Sequence, residues 1–74
     1  MSDEGLTGTV KLWRGENGYG FITSHAMSED TFFHITAVKS REEPRPGMVV
    51  RFKPEEDPRN PGRRLRAAWV ELLR

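Results

Sequence analysis

The 74-residue sequence contains no cysteine, so neither a disulfide nor a thiolate metal site can stabilise its fold. It also lacks any apolar run near the ~18 residues that a membrane-spanning helix needs. The first eight residues are acidic, unlike the basic and then apolar start of a signal peptide. We therefore expect a soluble cytoplasmic protein that does not contact a membrane.

Motifs for catalysis are absent as well. There is no Gly-x-Ser-x-Gly sequence and no thiol that a neighbouring base could activate. Two histidines and two carboxylates between residues 25 and 34 are close in sequence, but they lie in a polar loop and a predicted strand rather than on a helix, and they lack the paired-ligand pattern of a metal site. We therefore expect no enzyme activity, no metal or other cofactor and no small-molecule substrate.

The net charge is small, because the charges of 12 lysines and arginines are nearly balanced by those of 11 aspartates and glutamates, which leaves a formal charge of +1. This balance argues against nucleic-acid binding by bulk electrostatics. The bases are unevenly distributed, since Lys11 and Arg14 are the only ones before His34. The length suffices for one small domain with one core, which we place at residues 6–74 after a disordered tail at residues 1–5.

Alternation of apolar and polar residues predicts four strands. In the first, Val10 and Leu12 face one way, while Thr9, Lys11 and Trp13 face the other. Gly-Glu-Asn-Gly then forms a turn, because Asn-Gly tolerates positive φ angles. The predicted strands are residues 7–13, 19–23, 31–35 and 48–53, with one helical turn at residues 36–39 and proline-containing loops on either side of the fourth strand.

The C-terminal segment, residues 63–74, has two readings. Leucine, alanine and tryptophan at positions 65, 68, 69 and 72 follow the i, i+3, i+4, i+7 spacing of an amphipathic helix. Alternatively, a fifth strand with Ala68, Val70 and Leu72 inward would pair the open edges of the sheet and close it into a barrel. Local pattern alone leaves both readings open.

Aromatic residues make up only 9% of the chain, but several of them share one predicted face. Tyr19 and Phe21 are two residues apart, so both rings leave the same side of a strand. If these rings pointed inward, Ile22 and two glycines would face water, so we expect the rings outside. Phe33 we assign to the core. An exposed row of rings is typical of a surface that stacks nucleic-acid bases, since every base has a π-face.

Two segments resemble the ribonucleoprotein motifs of the cold-shock domain family. Residues 17–22, Asn-Gly-Tyr-Gly-Phe-Ile, resemble the first motif, usually Lys-Gly-Phe-Gly-Phe-Ile. Residues 30–35, Asp-Thr-Phe-Phe-His-Ile, resemble the second, usually Asp-Val-Phe-Val-His-Phe. Residues 7–11 and 67–70 resemble the family's first and fifth strands. The resemblance implies an all-β fold, a small five-stranded antiparallel OB-type barrel, and it favours a strand over a helix at the C-terminus.

The resemblance also implies a function, namely the binding of single-stranded RNA or DNA by base stacking. Low sequence specificity, RNA-chaperone-like activity and a monomeric state are expected with it. The residues expected to bind nucleic acid are Lys11, Trp13, Tyr19, Phe21, Phe32 and His34, with Arg14, Arg63 and Arg64 as candidates for phosphate contacts.

Several residues depart from the family pattern. Leu12 occupies the position of a stacking tryptophan, Asn17 that of a lysine, and Ile35 that of a phenylalanine. Trp13, where phenylalanine is usual, is expected to replace part of the lost ring surface. If each missing ring costs ~1 kcal/mol, the affinity falls roughly fivefold per ring. The alternative function is therefore a protein-interaction barrel that binds a peptide or subunit with this reduced aromatic face. Trp69 is expected to point outward, either to cover the barrel or to bind a partner.

Overall fold

A computed structural model describes residues 5–40, 42–56 and 65–73, which form a closed barrel of five strands. Around the barrel the strands follow the order β1-β2-β3-β5-β4. Neighbouring strands are antiparallel except β3 and β5, which run parallel, so the predicted antiparallel barrel is confirmed apart from this one seam. The elements are β1 (Leu6–Arg14), β2 (Tyr19–Thr23), β3 (Thr31–His34), a 3₁₀ helix (Ile35–Ala37), β4 (Val49–Glu56) and β5 (Leu65–Leu72).

The hydrophobic core lies inside the barrel and receives side chains from every strand. Its members are at most 5% exposed, and the prediction that Phe33 belongs to the core is confirmed. Removing a Val-, Leu- or Phe-sized side chain from water contributes ~1.5–3 kcal/mol, so these contacts supply the main stabilisation in a chain without disulfides. The core residues are Val10, Ile22, Phe33, Val50, Phe52, Ala67 and Val70.

A β-bulge in β1 changes which side chains face the core. Val10 pairs with Ile22, but Leu12 pairs with Phe21, so β1 holds one extra residue at this point. An extra residue moves all later side chains to the opposite face from the one that strict alternation predicts. Trp13 therefore points inward and Leu12 outward. The predicted outward face of Trp13 is wrong for this reason.

A second bulge lies in β5, where the strand prediction for the C-terminal segment is confirmed. One residue separates Phe52 from Pro54 on β4, whereas two residues separate their partners Val70 and Ala67 on β5. The extra residue leaves Ala67 and Val70 buried and turns Ala68 to solvent. The predicted inward orientation of Ala68 is therefore wrong.

Some boundaries also differ from the predicted ones. The sequence predicts that the fourth strand ends at Lys53, but β4 continues through Pro54 to Glu56. Proline has no N–H for the strand ladder, and the neighbouring bulge interrupts the ladder at this point. The helical turn begins at Ile35, one residue earlier than predicted, which shortens β3 by one residue.

Most of the predicted N-terminal tail lies outside the described residues. Gly5, its last residue, lies against Trp69, because a Cβ atom at this glycine would come within 2.8 Å of the indole Cη2. The same indole also contacts Lys39, whose Nζ lies 4.7 Å from the ring centroid. Trp69 thus covers the outer surface of β5. In residues 5–40, 42–56 and 65–73, no helix has the length and hydropathy to cross a membrane.

Candidate nucleic-acid interface

Tyr19, Phe21 and Phe32 form a cluster on the outer face of β2 and β3, which we call the ring cluster. The ring centroids are 5.5 Å apart for Tyr19 and Phe32, 5.8 Å for Phe21 and Phe32, and 6.2 Å for Tyr19 and Phe21. The register explains this proximity, because Phe21 lies directly opposite Phe32 in the antiparallel pair. All three rings are half-buried. The predicted outward position of Tyr19 and Phe21 is confirmed.

Two glycines allow the backbone to carry these rings. Gly18 ends the β1–β2 turn with a φ of +74°, a conformation that favours glycine. Gly20 is buried on the inner face of β2, between the two outward rings. A Cβ atom there would collide with the carbonyl oxygen of Leu12 and come within 3.1 Å of the Phe33 ring. The glycine therefore lets the core pack directly against the strand that supports the ring cluster.

Trp13 lies beneath this sheet rather than on it. Its Cα partner is Gly20, and its indole stacks on Phe33 at a centroid distance of 5.5 Å. The indole Nε1 donates a hydrogen bond of 2.8 Å to Glu43 Oε2, which ties β1 to the loop before β4. The structure thus separates Trp13 from the other predicted interface residues.

His34 extends the outer face beyond Tyr19, its Cα partner. The backbone N–H of Thr36 donates to His34 Nδ1 at 3.2 Å, and the Thr36 hydroxyl lies 3.0 Å from the same nitrogen. Because Nδ1 accepts a backbone hydrogen bond, we assign the proton of the neutral ring to Nε2. The imidazole is exposed, held at the start of the 3₁₀ helix, and offers a donor at the edge of the ring cluster.

Lys11 and Leu12 border the ring cluster on β1. Leu12 is the Cα partner of Phe21 and shares its outer face. Lys11 Nζ forms an ion pair of 2.9 Å with Asp30 Oδ2, and these residues line a cavity of 240 Å³ with Leu12 and Phe21. Exposed ion pairs contribute only about 0–1 kcal/mol, so Lys11 can exchange this carboxylate for a phosphate at little cost.

Of the three residues predicted to contact phosphates, only Arg14 lies among the described residues. Arg14 is the Cα partner of Tyr19 and is exposed on the outer face of β1. Arg63 and Arg64 lie outside the described residues.

A third arginine of the C-terminal segment, which the sequence groups with Arg63 and Arg64 as lining either an edge or the phosphate path, also reaches this face. Arg66 is paired with Phe32 across the parallel seam between β3 and β5. Its Nε donates to Glu55 Oε2 at 3.0 Å. The cluster of C-terminal bases points to this arginine, but no local pattern predicts its two neighbours, because these pairings join strands that are distant in sequence.

Comparison with known proteins identifies the family. The model of the "Cold-shock" DNA-binding domain matches residues 6–72. The cold shock-like protein CspJ of Salmonella typhi is 38% identical over 58 residues, which cover 76% of this chain and 83% of that protein. The cold shock-like protein CspG of Escherichia coli is 46% identical over 37 residues, which cover 50% of this chain and 53% of that protein.

A solved structure shows the same fold. Drosophila Unr CSD456 matches with a TM-score of 0.77 at 23% identity, and the match covers 99% of this chain and 28% of that chain. The likeness to this structure concerns the fold, and the matched family model identifies the family. The chain therefore belongs to the cold-shock domain family, a family of nucleic-acid-binding domains.

Proposed function

We propose that this protein binds single-stranded RNA or DNA by stacking bases on the ring cluster, without a catalytic step. The observation that carries the proposal is the group of three half-buried rings, with centroids at most 6.2 Å apart, on neighbouring strands. Each base stacked on an aromatic side chain is worth ~1–3 kcal/mol. Three rings therefore supply ~3–9 kcal/mol, and together with the surrounding polar contacts we expect affinity in the micromolar range.

Polar groups around the ring cluster complete the proposed interface. His34 donates from its exposed Nε2, while Lys11 and Arg14 neutralise phosphates on the β1 side. With a formal net charge of only +1, the interface depends more on stacking than on charge. We therefore expect a shallow salt dependence, with a slope of about −0.7 per neutralised phosphate.

Low sequence preference follows from the same chemistry. An aromatic ring can stack on the π-face of any base. We therefore expect that, at most positions of a bound strand, one base can replace another with little loss of affinity. A protein that holds bases unpaired in this way keeps RNA single-stranded, which is the RNA-chaperone-like activity that we propose. Trp13 has a different role in this proposal, because its indole packs on Phe33 of β3 and lies beside Gly20 of β2, on the inner side of the sheet.

The test is a titration of fluorescently labelled oligothymidylate and oligouridylate, followed by anisotropy in low salt. Tryptophan quenching is a poor reporter here, because Trp13 packs on Phe33 and Trp69 is covered by Lys39 and Gly5. We expect saturation at micromolar protein and weaker binding of a duplex of the same length, whose bases are already stacked. If neither oligonucleotide changes its anisotropy at high micromolar protein, the proposal fails and the protein-interaction barrel becomes the better hypothesis.

A further inference from the structure

A cavity of 230 Å³ lies at the parallel seam between β3 and β5, directly beside the ring cluster. The strands pair at Phe32 and Arg66, and the chain after β3 meets β5 again at the bridge between Val38 and Val70. The cavity opens between these two points of contact. Its lining includes Phe32 from the ring cluster, so a strand stacked on that cluster passes the cavity mouth.

The cavity contains an ion pair with unused hydrogen-bonding capacity. Arg66 donates through Nε to Glu55 Oε2 at 3.0 Å, and the two side chains are 42% and 40% exposed. Among residues 5–40, 42–56 and 65–73, this bond leaves the two terminal amino groups of the guanidinium as donors and the second carboxylate oxygen as an acceptor. A pair of adjacent donors therefore lies next to an acceptor group, within reach of a base that enters the cavity.

Guanine is the base whose edge matches this arrangement. Going around its rim, N7 and O6 are adjacent acceptors, and N1–H and the N2 amino group are adjacent donors. Adenine places an amino donor where guanine has O6, which would face the donors of the guanidinium. Cytosine lacks the pair of adjacent donors, and uracil and thymine lack both pairs, because acceptors and donors alternate along their edge. Arginine to O6 and N7 of guanine is also the commonest specific contact between proteins and bases.

We infer that the seam cavity is a guanine subsite, in which Arg66 donates to O6 and N7 and Glu55 accepts from N1–H and N2. Phe32 supplies the stacking surface at its mouth. The cavity is smaller than the ~300–1,000 Å³ pockets that hold drug-sized ligands, so it takes one base. This inference rests on the proposed function, because the base reaches the cavity as part of a strand that the ring cluster holds.

The test uses short labelled oligothymidylates that carry one guanine at each position in turn. At one position, guanine should bind roughly fivefold tighter than thymine. At that position, 7-deazaguanine, which lacks the N7 acceptor, and hypoxanthine, which lacks the N2 amino group, should each lose part of the gain.

Matched variants assign each contact to its residue. Arg66→Lys keeps the charge but lacks the planar fork, so it should lose the preference for guanine over 7-deazaguanine. Glu55→Gln should lose the preference for guanine over hypoxanthine. Each preference is the ratio of two affinities measured on the same variant, so a general change in affinity for single strands cancels.

Two outcomes would overturn the inference while leaving the proposed function in place. One is equal binding of guanine and thymine at every position, and the other is a guanine preference that survives both substitutions. Arg66 and Glu55 would then serve only to link β4 and β5. Failure to bind any oligonucleotide, by contrast, would overturn the proposed function itself.

Discussion

Trp13 stacks on Phe33 inside the barrel, with ring centroids 5.5 Å apart and ring planes inclined by 17°. Phe33 is fully buried, so the half-buried indole packs directly against the hydrophobic core. Its Nε1 also donates to Glu43, which connects β1 to the loop before β4. The sequence suggests that the Trp13 indole replaces a lost base-stacking ring. In the structure the indole instead stabilises the sheet from its inner face.

Replacing Trp13 with alanine should therefore reduce stability. Large-to-small substitutions of aromatic core residues cost ~3–5 kcal/mol, and we expect about 3 kcal/mol because Trp13 is half-buried. Chemical denaturation measures the loss. Trp13→Phe is the control, since it keeps a stacked ring and loses the bond to Glu43 and part of the indole, at a smaller cost than alanine. A stable Trp13→Ala protein with impaired oligonucleotide binding would show that the indole faces the ligand instead.

The position of Trp13 could not be predicted because a bulge is nearly invisible in sequence. The segment around Lys11 alternates polar and apolar residues as a regular strand does, and the extra residue is apparent only from the pairing with β2. In β2 and β3 the pairing is regular, and there alternation correctly predicts that Tyr19 and Phe21 point outward and Phe33 inward.

Phe21→Ala and Phe32→Ala should each weaken binding of oligothymidylate by roughly five- to 150-fold, which corresponds to the ~1–3 kcal/mol of one stacked base. The anisotropy titration described above measures this effect. Phe21→Leu keeps most of the apolar bulk and loses the flat ring, so its affinity should fall nearly as far. Val49→Ala is the control. It shortens a side chain of β4 that is 44% exposed, and it should leave the affinity unchanged. If Phe21→Ala unfolds the protein, the ring belongs to the core and not to the interface.

The seam between β3 and β5 shows a second limit of prediction from sequence. Alternation predicts which way a side chain faces, but it does not predict which strands become neighbours. Arg66 reaches Phe32 only because the closed order β1-β2-β3-β5-β4 brings the last strand beside the third. The motifs thus predict the ring cluster. That Arg66 and Glu55 lie beside it can be seen only from the order of the strands in the barrel.

Thr31→Val should stabilise the protein. Thr31 is fully buried, and its hydroxyl has no hydrogen-bond partner among the described residues. An unsatisfied buried polar group costs ~1–3 kcal/mol, and valine has nearly the same shape without the hydroxyl. We expect a gain of about 1 kcal/mol, which raises the melting temperature of a domain of this size by ~4–8 °C.

The control for this prediction is Thr31→Ser, which keeps the hydroxyl and loses a methyl group. It should lower the stability by ~0.8 kcal/mol. Oligonucleotide affinity should not change in either variant, because the side chain at this position faces the core. A lower melting temperature for Thr31→Val would mean that the hydroxyl is hydrogen-bonded.

Leu12→Trp should increase the affinity for single strands. Leu12 is the Cα partner of Phe21 and lines the cavity that Lys11 and Asp30 border, so an indole there extends the ring cluster onto β1. One more stacked base at ~1 kcal/mol corresponds to roughly fivefold tighter binding. Leu12→Met, which adds no ring, should leave the affinity of the parent protein unchanged. The new tryptophan also provides a direct signal, because a base stacked on it should quench its fluorescence. An unchanged affinity and an unquenched indole would mean that the bound strand does not cross β1, and the path of the ligand would then run from Phe21 towards the β3–β5 seam.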